Sequence, residues 1–257
     1  MLDFSGKVAI VTGGGTGIGY AAALQFARLG ASVVIASRTA DELEAAAARI
    51  REASGAPCIA VPTDVKSEES CVALVEQTIA AFGRIDVLVN NAGGTRMGPL
   101  ESIPTRGWDS IFDLNTKSTY ILTREAGRHM IAQKSGAIVN ISSGAGVNGV
   151  KGGAHYSAAK AAVQMFTRVT AAEWGRYGIR CNCVAAGAIA SERVSEAWKV
   201  AGLDEAEMGK AIPLRRLGTP DDMAHMIVFF ASDAASYISG ETISVCGGPN
   251  LGGIELD

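Results

Sequence analysis

The chain has 257 residues, 48% of them hydrophobic and 19% charged, with a formal net charge of -3. That length suits one α/β domain, and that balance supplies a large apolar core and excludes a disordered chain. A nucleic-acid or anionic-membrane partner is not expected, because no sustained basic stripe runs through the sequence.

In chain order, residues 1–7 lack the basic start and apolar stretch of a secretory leader, and no later run is long and apolar enough to cross a bilayer. A cytoplasmic protein is the expectation. Apolar runs at 8–11, 33–35, 59–61, 87–89 and 137–139 are continuous, as in strands covered by helices on both faces, and a further run lies at 243–245. Helical patterns fall between them. Residues 20–29 follow the first strand; Leu43, Ala47 and Ile50 line one face of a second helix; Val72, Val75, Ile79 and Phe82 line a third; Met223, Ile227 and Phe230 line a last one. Thr39-Ala40-Asp41-Glu42 reads as a capping box opening the second helix. Thr219-Pro220-Asp221-Asp222 places a cap, a first-turn proline and acids facing the helix dipole.

This order, with right-handed crossovers, gives a parallel, doubly wound sheet with ligands above the carboxyl ends of the strands. Residues 188–218 resist regular assignment, between a strand at 179–185 and the helix after Pro220. An excursion of that length over the carboxyl edge predicts a lid or substrate loop. The five cysteines, Cys58, Cys71, Cys181, Cys183 and Cys246, form no CxxC pair and no zinc spacing. All five are expected to be reduced, buried small hydrophobes, with no metal site.

Two ends of the predicted sheet carry chemistry. After the first strand, Thr12, Gly13, Thr16, Gly17, Ile18 and Gly19 belong to a glycine-rich turn running into a helix, which allows close backbone approach to a pyrophosphate at a positive helix end. About twenty residues on, where an NAD site carries an acid, the chain reads Ser37-Arg38. A hydroxyl and a guanidinium suit a 2′-phosphate, so NADP(H) is the expected cofactor, with NAD(H) the alternative. Asp64-Val65 closes the third strand, where the carboxylate could accept the adenine amino group, and Asn90, Asn91, Ala92 and Gly93 end the fourth, with small residues that let a cofactor lie against backbone. Tyr156 and Lys160, four apart, share one face of a predicted helix. An ammonium there lowers the pKa of the phenol, which otherwise titrates near 10, so the pair can exchange a proton while hydride moves. Ser142 and Ser143 follow the strand at 137–141; either hydroxyl could polarise a substrate carbonyl, and spacing does not choose between them. Asn115 opens a long amphipathic stretch, and His155 beside Tyr156 reads as a residue that packs or meets solvent rather than as a second acid.

These motifs, in this order, resemble the single-domain branch of the short-chain dehydrogenase/reductases, over essentially all 257 residues. The resemblance implies an α/β, single-domain Rossmann fold spanning 1–257: a doubly wound parallel seven-stranded sheet with helices on both faces. It selects Ser143 over Ser142 and implies that Asn115 anchors a water in a proton relay through Lys160. It further implies that Ile141 and Val65 border the cofactor, and that Gly187, Ile189 and Ser191 approach the nicotinamide. Two departures stand out: Ala186 precedes Gly187 where the family usually has proline, and Ser191 replaces a common threonine. Tetramers through two long helices, here about 107–133 and 154–177, and the carboxyl tail are also implied.

Within the family, Arg216-Leu217-Gly218 and Ser239-Gly240-Glu241-Thr242 are similar to 3-oxoacyl carrier-protein reductases. The run from Val34 to Arg38 and Ala172-Glu173-Trp174-Gly175 resemble enoyl- and dienoyl-thioester reductases. The intact Ser143, Tyr156 and Lys160 favour carbonyl over alkene reduction, and a 3-oxoacyl thioester or similar medium-sized ketone as the small-molecule substrate. A non-catalytic NADP(H) sensor is the alternative from another class. Lys134, Arg128 and Arg176 are read as solvated helix faces rather than a patch for an acidic carrier protein.

Overall fold

The computed structural model describes residues 2–249. Its seven strands are β1 (Val8–Thr12), β2 (Ser32–Ser37), β3 (Cys58–Pro62), β4 (Val87–Asn90), β5 (Gly136–Ser143), β6 (Ile179–Ala186) and β7 (Thr242–Val245). All pairings are parallel, in the order β3-β2-β1-β4-β5-β6-β7. The strand order reverses between β1 and β4, and a crevice opens above their carboxyl ends at such a switch point.

The two-residue period of a strand sends neighbouring side chains to opposite faces. Ala9 and Val11 of β1 therefore join one core with α1 (Gly17–Arg28), α2 (Ala40–Ser54) and α10 (Pro220–Ala231), while Ile10 joins the other with α3 (Glu68–Phe82), α5 (Ser118–Gln133) and α7 (Ala154–Trp174). Phe26, Leu43, Ile50, Met223, Ile227 and Phe230 fill the first core; Leu74, Ile121, Leu122 and Met130 fill the second. The smaller helices are α4 (Thr105–Phe112), α6 (Ala145–Asn148), α8 (Glu192–Val200) and α9 (Glu205–Lys210).

Several local expectations change. The stretch at 107–133 is not one helix: a π-helical turn at Asp113–Lys117 separates α4 from α5. Asn115, Ser118 and Thr119 bond there to the carbonyls of Ile111, Leu114 and Asn115, and side chains that compete for helix carbonyls favour such irregularities. The third helix buries Cys71, Leu74, Val75 and Thr78, leaving Val72, Ile79 and Phe82 only half-buried, because two adjacent stripes of it are apolar. Thr219 and Asp222 form the expected cap as a full capping box. Thr39, by contrast, caps α2 without a side-chain bond, and Glu42 turns elsewhere. The segment at 188–218 contains α8 and α9, and a bridge between Ile189 and Gly218 closes its base.

Cys58, Cys71, Cys181 and Cys183 are buried free thiols, but Cys246 is half-exposed just past the edge strand β7. Arg128 pairs with Glu125, and Arg176 lies over the Tyr177 ring, so the three cations at 128, 134 and 176 do not act as one free patch. Among the described residues no helix is long and apolar enough to cross a membrane, and no His/Cys/Asp/Glu group could hold a metal. The last residues of the carboxyl tail, invoked above for assembly, lie outside the described residues.

The α6 backbone packs directly on α7 at the lysine of the predicted pair. A Cβ at Gly146 would lie 2.7 Å from the Lys160 carbonyl carbon and 2.8 Å from the Ala161 nitrogen. Overpacking against backbone costs about 1–3 kcal/mol, more than the ~1 kcal/mol that alanine gains over glycine in a helix. Gly146→Ala is expected to lower the thermal unfolding midpoint; a rise would contradict this packing.

Candidate active site

At the switch point, the Thr12 hydroxyl donates to the Val89 carbonyl at 3.2 Å and accepts from the Asn91 and Ala92 amides, each at 3.0 Å. The Asn91 amide nitrogen also donates to the Thr12 carbonyl at 2.9 Å. Thr12 and Asn91 thus pin the ends of β1 and β4 together and set the floor of the crevice.

The glycine-rich turn continues from that floor. Gly13 takes a left-handed φ of 66°, and a Cβ at Gly19 would fall 2.2 Å from the Gly13 carbonyl oxygen, so the turn folds flat only with glycine. Thr16 leads into α1 without a side-chain cap, and no acid stands in the first turn of that helix. Its leading amides and dipole therefore face the crevice uncompensated, which is the chemistry of an anion site. At the end of β2, the buried Ser37 hydroxyl has no hydrogen-bond partner, and Arg38 is exposed with no ion pair among the described residues. An orphaned buried hydroxyl, an exposed guanidinium and an uncapped helix end fit a dinucleotide cofactor. Asp64 is exposed, its carboxylate accepting from the Lys66 amide, while Val65 is buried beside it.

The predicted serine, tyrosine and lysine come together on β5 and α7. Ser143 ends β5, its hydroxyl accepting from the Ala145 amide at 3.2 Å, near Tyr156 in the first turns of α7. Ser142, one residue earlier, points into the core: its hydroxyl donates to the Lys160 carbonyl and accepts from Gln164, both at 2.9 Å. Alternation along the strand thus makes Ser142 a packing group and leaves Ser143 facing Tyr156. Lys160 is 4% exposed, its Nζ donates to the Ile141 carbonyl at 2.8 Å, and it lies 5.8 Å from the Tyr156 ring centroid. Burial pushes the Tyr156 phenol above its ordinary value, and the Ser143 hydroxyl pulls it partly back. The expected lowering by Lys160 is therefore not the dominant influence, since the ammonium meets the ring face and the Ile141 carbonyl. Burial also brings Lys160 itself down to about 8, against the weaker pull of Cys183.

Asn115 is brought to the same place. Its side chain donates to the Gly94 carbonyl at 2.9 Å and accepts from the Gly94 amide at 3.2 Å. A Cβ at Gly93 would lie 2.7 Å from Asn115 Oδ1 and 3.1 Å from Lys160 Nζ, so a bare backbone is needed between them. Gly187, Ile189 and Ser191 lead from β6 into the lid, and a Cβ at Gly17 would lie 3.2 Å from that of Ser191. Ile18 lies in the first turn of α1, half-buried. The structure thus brings the predicted residues to one edge of the sheet. Sequence reading missed Gln164, one helical turn past Lys160 on the same face, a spacing that could have revealed it. His155 is buried with an unpartnered Nδ1.

A family model described as enoyl-(acyl carrier protein) reductase matches residues 13–250. A hydroxy(phenyl)methylsuccinyl-CoA dehydrogenase subunit from Thauera aromatica is 38% identical, over 97% of this chain and 99% of its own. A 3-oxoacyl-acyl-carrier-protein reductase from Synechocystis is 40% identical, over 96% of this chain and 98% of its own. The chain is a short-chain dehydrogenase/reductase. A solved levodione reductase superposes with a TM-score of 0.91 at 32% identity, covering 95% of this chain and 98% of that one. As a member of that family, the chain is an oxidoreductase that binds a nicotinamide cofactor and acts on a small-molecule substrate.

The depressed Lys160 pKa has a thermodynamic signature in this dehydrogenase/reductase. Between about 8 and the ordinary lysine value of 10.5, the unfolded chain keeps a proton that the folded chain has lost. Unfolding then takes up a proton, so the stability contributed by this residue rises with pH across that window. In denaturant unfolding, wild type should gain on Lys160→Met between about pH 7.5 and pH 9.5. A difference independent of pH would contradict the depressed value.

Proposed function

We propose that this protein interconverts a 3-oxoacyl thioester, or a similar medium-sized ketone, and its secondary alcohol, with NADP(H) as cofactor. The observation that carries the reading is Tyr156 set near Ser143 and over the buried Lys160, at the carboxyl edge of the sheet beside the glycine-rich turn. When bound, the nicotinamide supplies the hydride for the carbonyl carbon or accepts it from the alcohol.

In the reducing direction the Ser143 hydroxyl orients and polarises the carbonyl oxygen, and Tyr156 delivers a proton to that oxygen. Lys160 favours the resulting phenolate and holds the ribose hydroxyls. Asn115, across Gly93 from Lys160, anchors the water that returns a proton through the lysine. Thr12, Gly13, Thr16, Gly17, Ile18 and Gly19 seat the pyrophosphate at the start of α1. Ser37 and Arg38 receive the adenosine 2′-phosphate, Asp64 and Val65 border the adenine, and Asn91, Ala92, Gly93 and Ile141 line the middle of the cleft. Gly187, Ile189 and Ser191 approach the nicotinamide at the base of a lid spanning about 188–218. The absence of an acid after β2, and an exposed Arg38 with no ion pair among the described residues, support NADP(H) over NAD(H).

Two features support an acyl thioester. The relatives from Thauera aromatica and Synechocystis are named for a CoA thioester and for an oxoacyl carrier-protein substrate. In this chain the exposed apolar residues Met97, Leu100, Val147 and Val150 come from the loops after β4 and around α6 that flank Tyr156, offering contact to an acyl body. By family, a cytoplasmic homotetramer is proposed, and the exposed Tyr120, Met165 and Val169 on α5 and α7 suit such burial.

The test is NADPH oxidation by the purified protein, in parallel with NADH, across 3-oxoacyl thioesters, simple ketones, aldehydes and sugars. The expected result is a clear NADPH preference with turnover of 3-oxoacyl thioesters. Turnover of other carbonyls or alcohols but no oxoacyl thioester would remove the substrate assignment.

A further inference from the structure

The second helix gives up the capping box that its sequence spells, and the freed carboxylate crosses to the lid. Glu42 accepts two hydrogen bonds from Arg193 Nη2, at 2.9 Å and 2.7 Å, joining the first turn of α2 to the first turn of α8. The place of this pair in the crevice is set by Gly15. A Cβ there would meet the Ser37 hydroxyl at 3.5 Å and Glu42 Cγ at 3.9 Å, so the turn, the orphaned hydroxyl and the Glu42 stem surround one point. Ser191, seated on Gly17, fixes the lid two residues before Arg193.

This location poses an electrostatic problem for the cofactor assigned above. An acid at the end of β2 favours ribose hydroxyls and repels a 2′-phosphate. The chain has no acid at 37–39, but the fold brings the stem of Glu42 to the side of Gly15 that the Ser37 hydroxyl also faces. We propose that Arg193 is a specificity-determining residue: by pairing with Glu42 it masks the carboxylate beside Ser37 and Arg38, and so lets the site take a phosphorylated ribose. The lid then serves cofactor selection as well as enclosure. Arg38 supplies attraction, and Arg193 removes a repulsion that would otherwise oppose it.

This inference rests on the NADP(H) reading, and its test separates the two. Dissociation constants for NADPH and NADH are measured by calorimetry on wild type, R193Q, E42Q and the double variant E42Q/R193Q. Both side chains are partly exposed, so the effect is that of a screened pair: R193Q is expected to weaken NADPH binding about fivefold and NADH binding less than about twofold. Removing the unmasked acid in E42Q/R193Q should return NADPH binding to within about twofold of wild type. Equal losses for both cofactors in R193Q, or no change, would overturn the proposal. So would a NADPH-selective loss that the double variant does not recover, which would mean that Arg193 meets the phosphate itself. Tighter binding of NADH than NADPH by wild type would defeat the cofactor reading, while the change in the ratio between R193Q and wild type would still decide the masking role.

Discussion

A buried ammonium is costly unless its surroundings hold it, and the site is organised around one. Lys160 is held by the Ile141 carbonyl, by the face of the Tyr156 ring and by the backbone of α6 pressed against α7 at Gly146. Each contact fixes another part of the site. The bond to Ile141 ties α7 to the end of β5 and so places Tyr156 beside Ser143. The helix spacing of four residues would mean little without that tie, because a tyrosine and a lysine so spaced on a free helix face solvent. Ser142 and Gln164 complete the arrangement beneath, where their hydrogen bonds join the same strand to the same helix.

Much of the fold is legible in the sequence because strands buried on both faces read as continuous apolar runs, and the helices between them carry one apolar stripe. Leu43, Ala47 and Ile50 are buried as their spacing predicts. The failures have local causes. The third helix has two adjacent apolar stripes, and tertiary packing against α5 selects the one through Leu74. The π-helical turn at Asp113–Lys117 carries neither proline nor glycine, and only hydrogen bonds formed in the folded chain mark it. The helices α8 and α9 bury little apolar surface, so their sequence reads as loop; Asp204, capping α9 through the Ala206 and Glu207 amides, is their one clear local signal.

The site was legible as a set of positions and less so as a set of interactions. Motif order points to Thr12, Ser143, Tyr156 and Lys160, and the fold brings them to the carboxyl edge of the sheet. The direction of the Tyr156 shift is not legible, because it depends on burial that only the fold creates. Nor is the fate of Glu42, for which a local cap and a partner 151 residues away compete. Sequence periodicity sees the first and is blind to the second. Choosing between Ser142 and Ser143 needs either family resemblance or the alternation of β5, and the two agree.

The central claim is that Tyr156 moves the proton while the rest of the cleft holds the cofactor. It is tested most directly by comparing Tyr156→Phe with wild type in NADPH affinity and in turnover of a 3-oxoacyl thioester. The account predicts NADPH binding within about twofold of wild type and turnover lower by at least about a hundredfold, the scale of a lost general acid. Turnover that survives the loss of the phenol would contradict it.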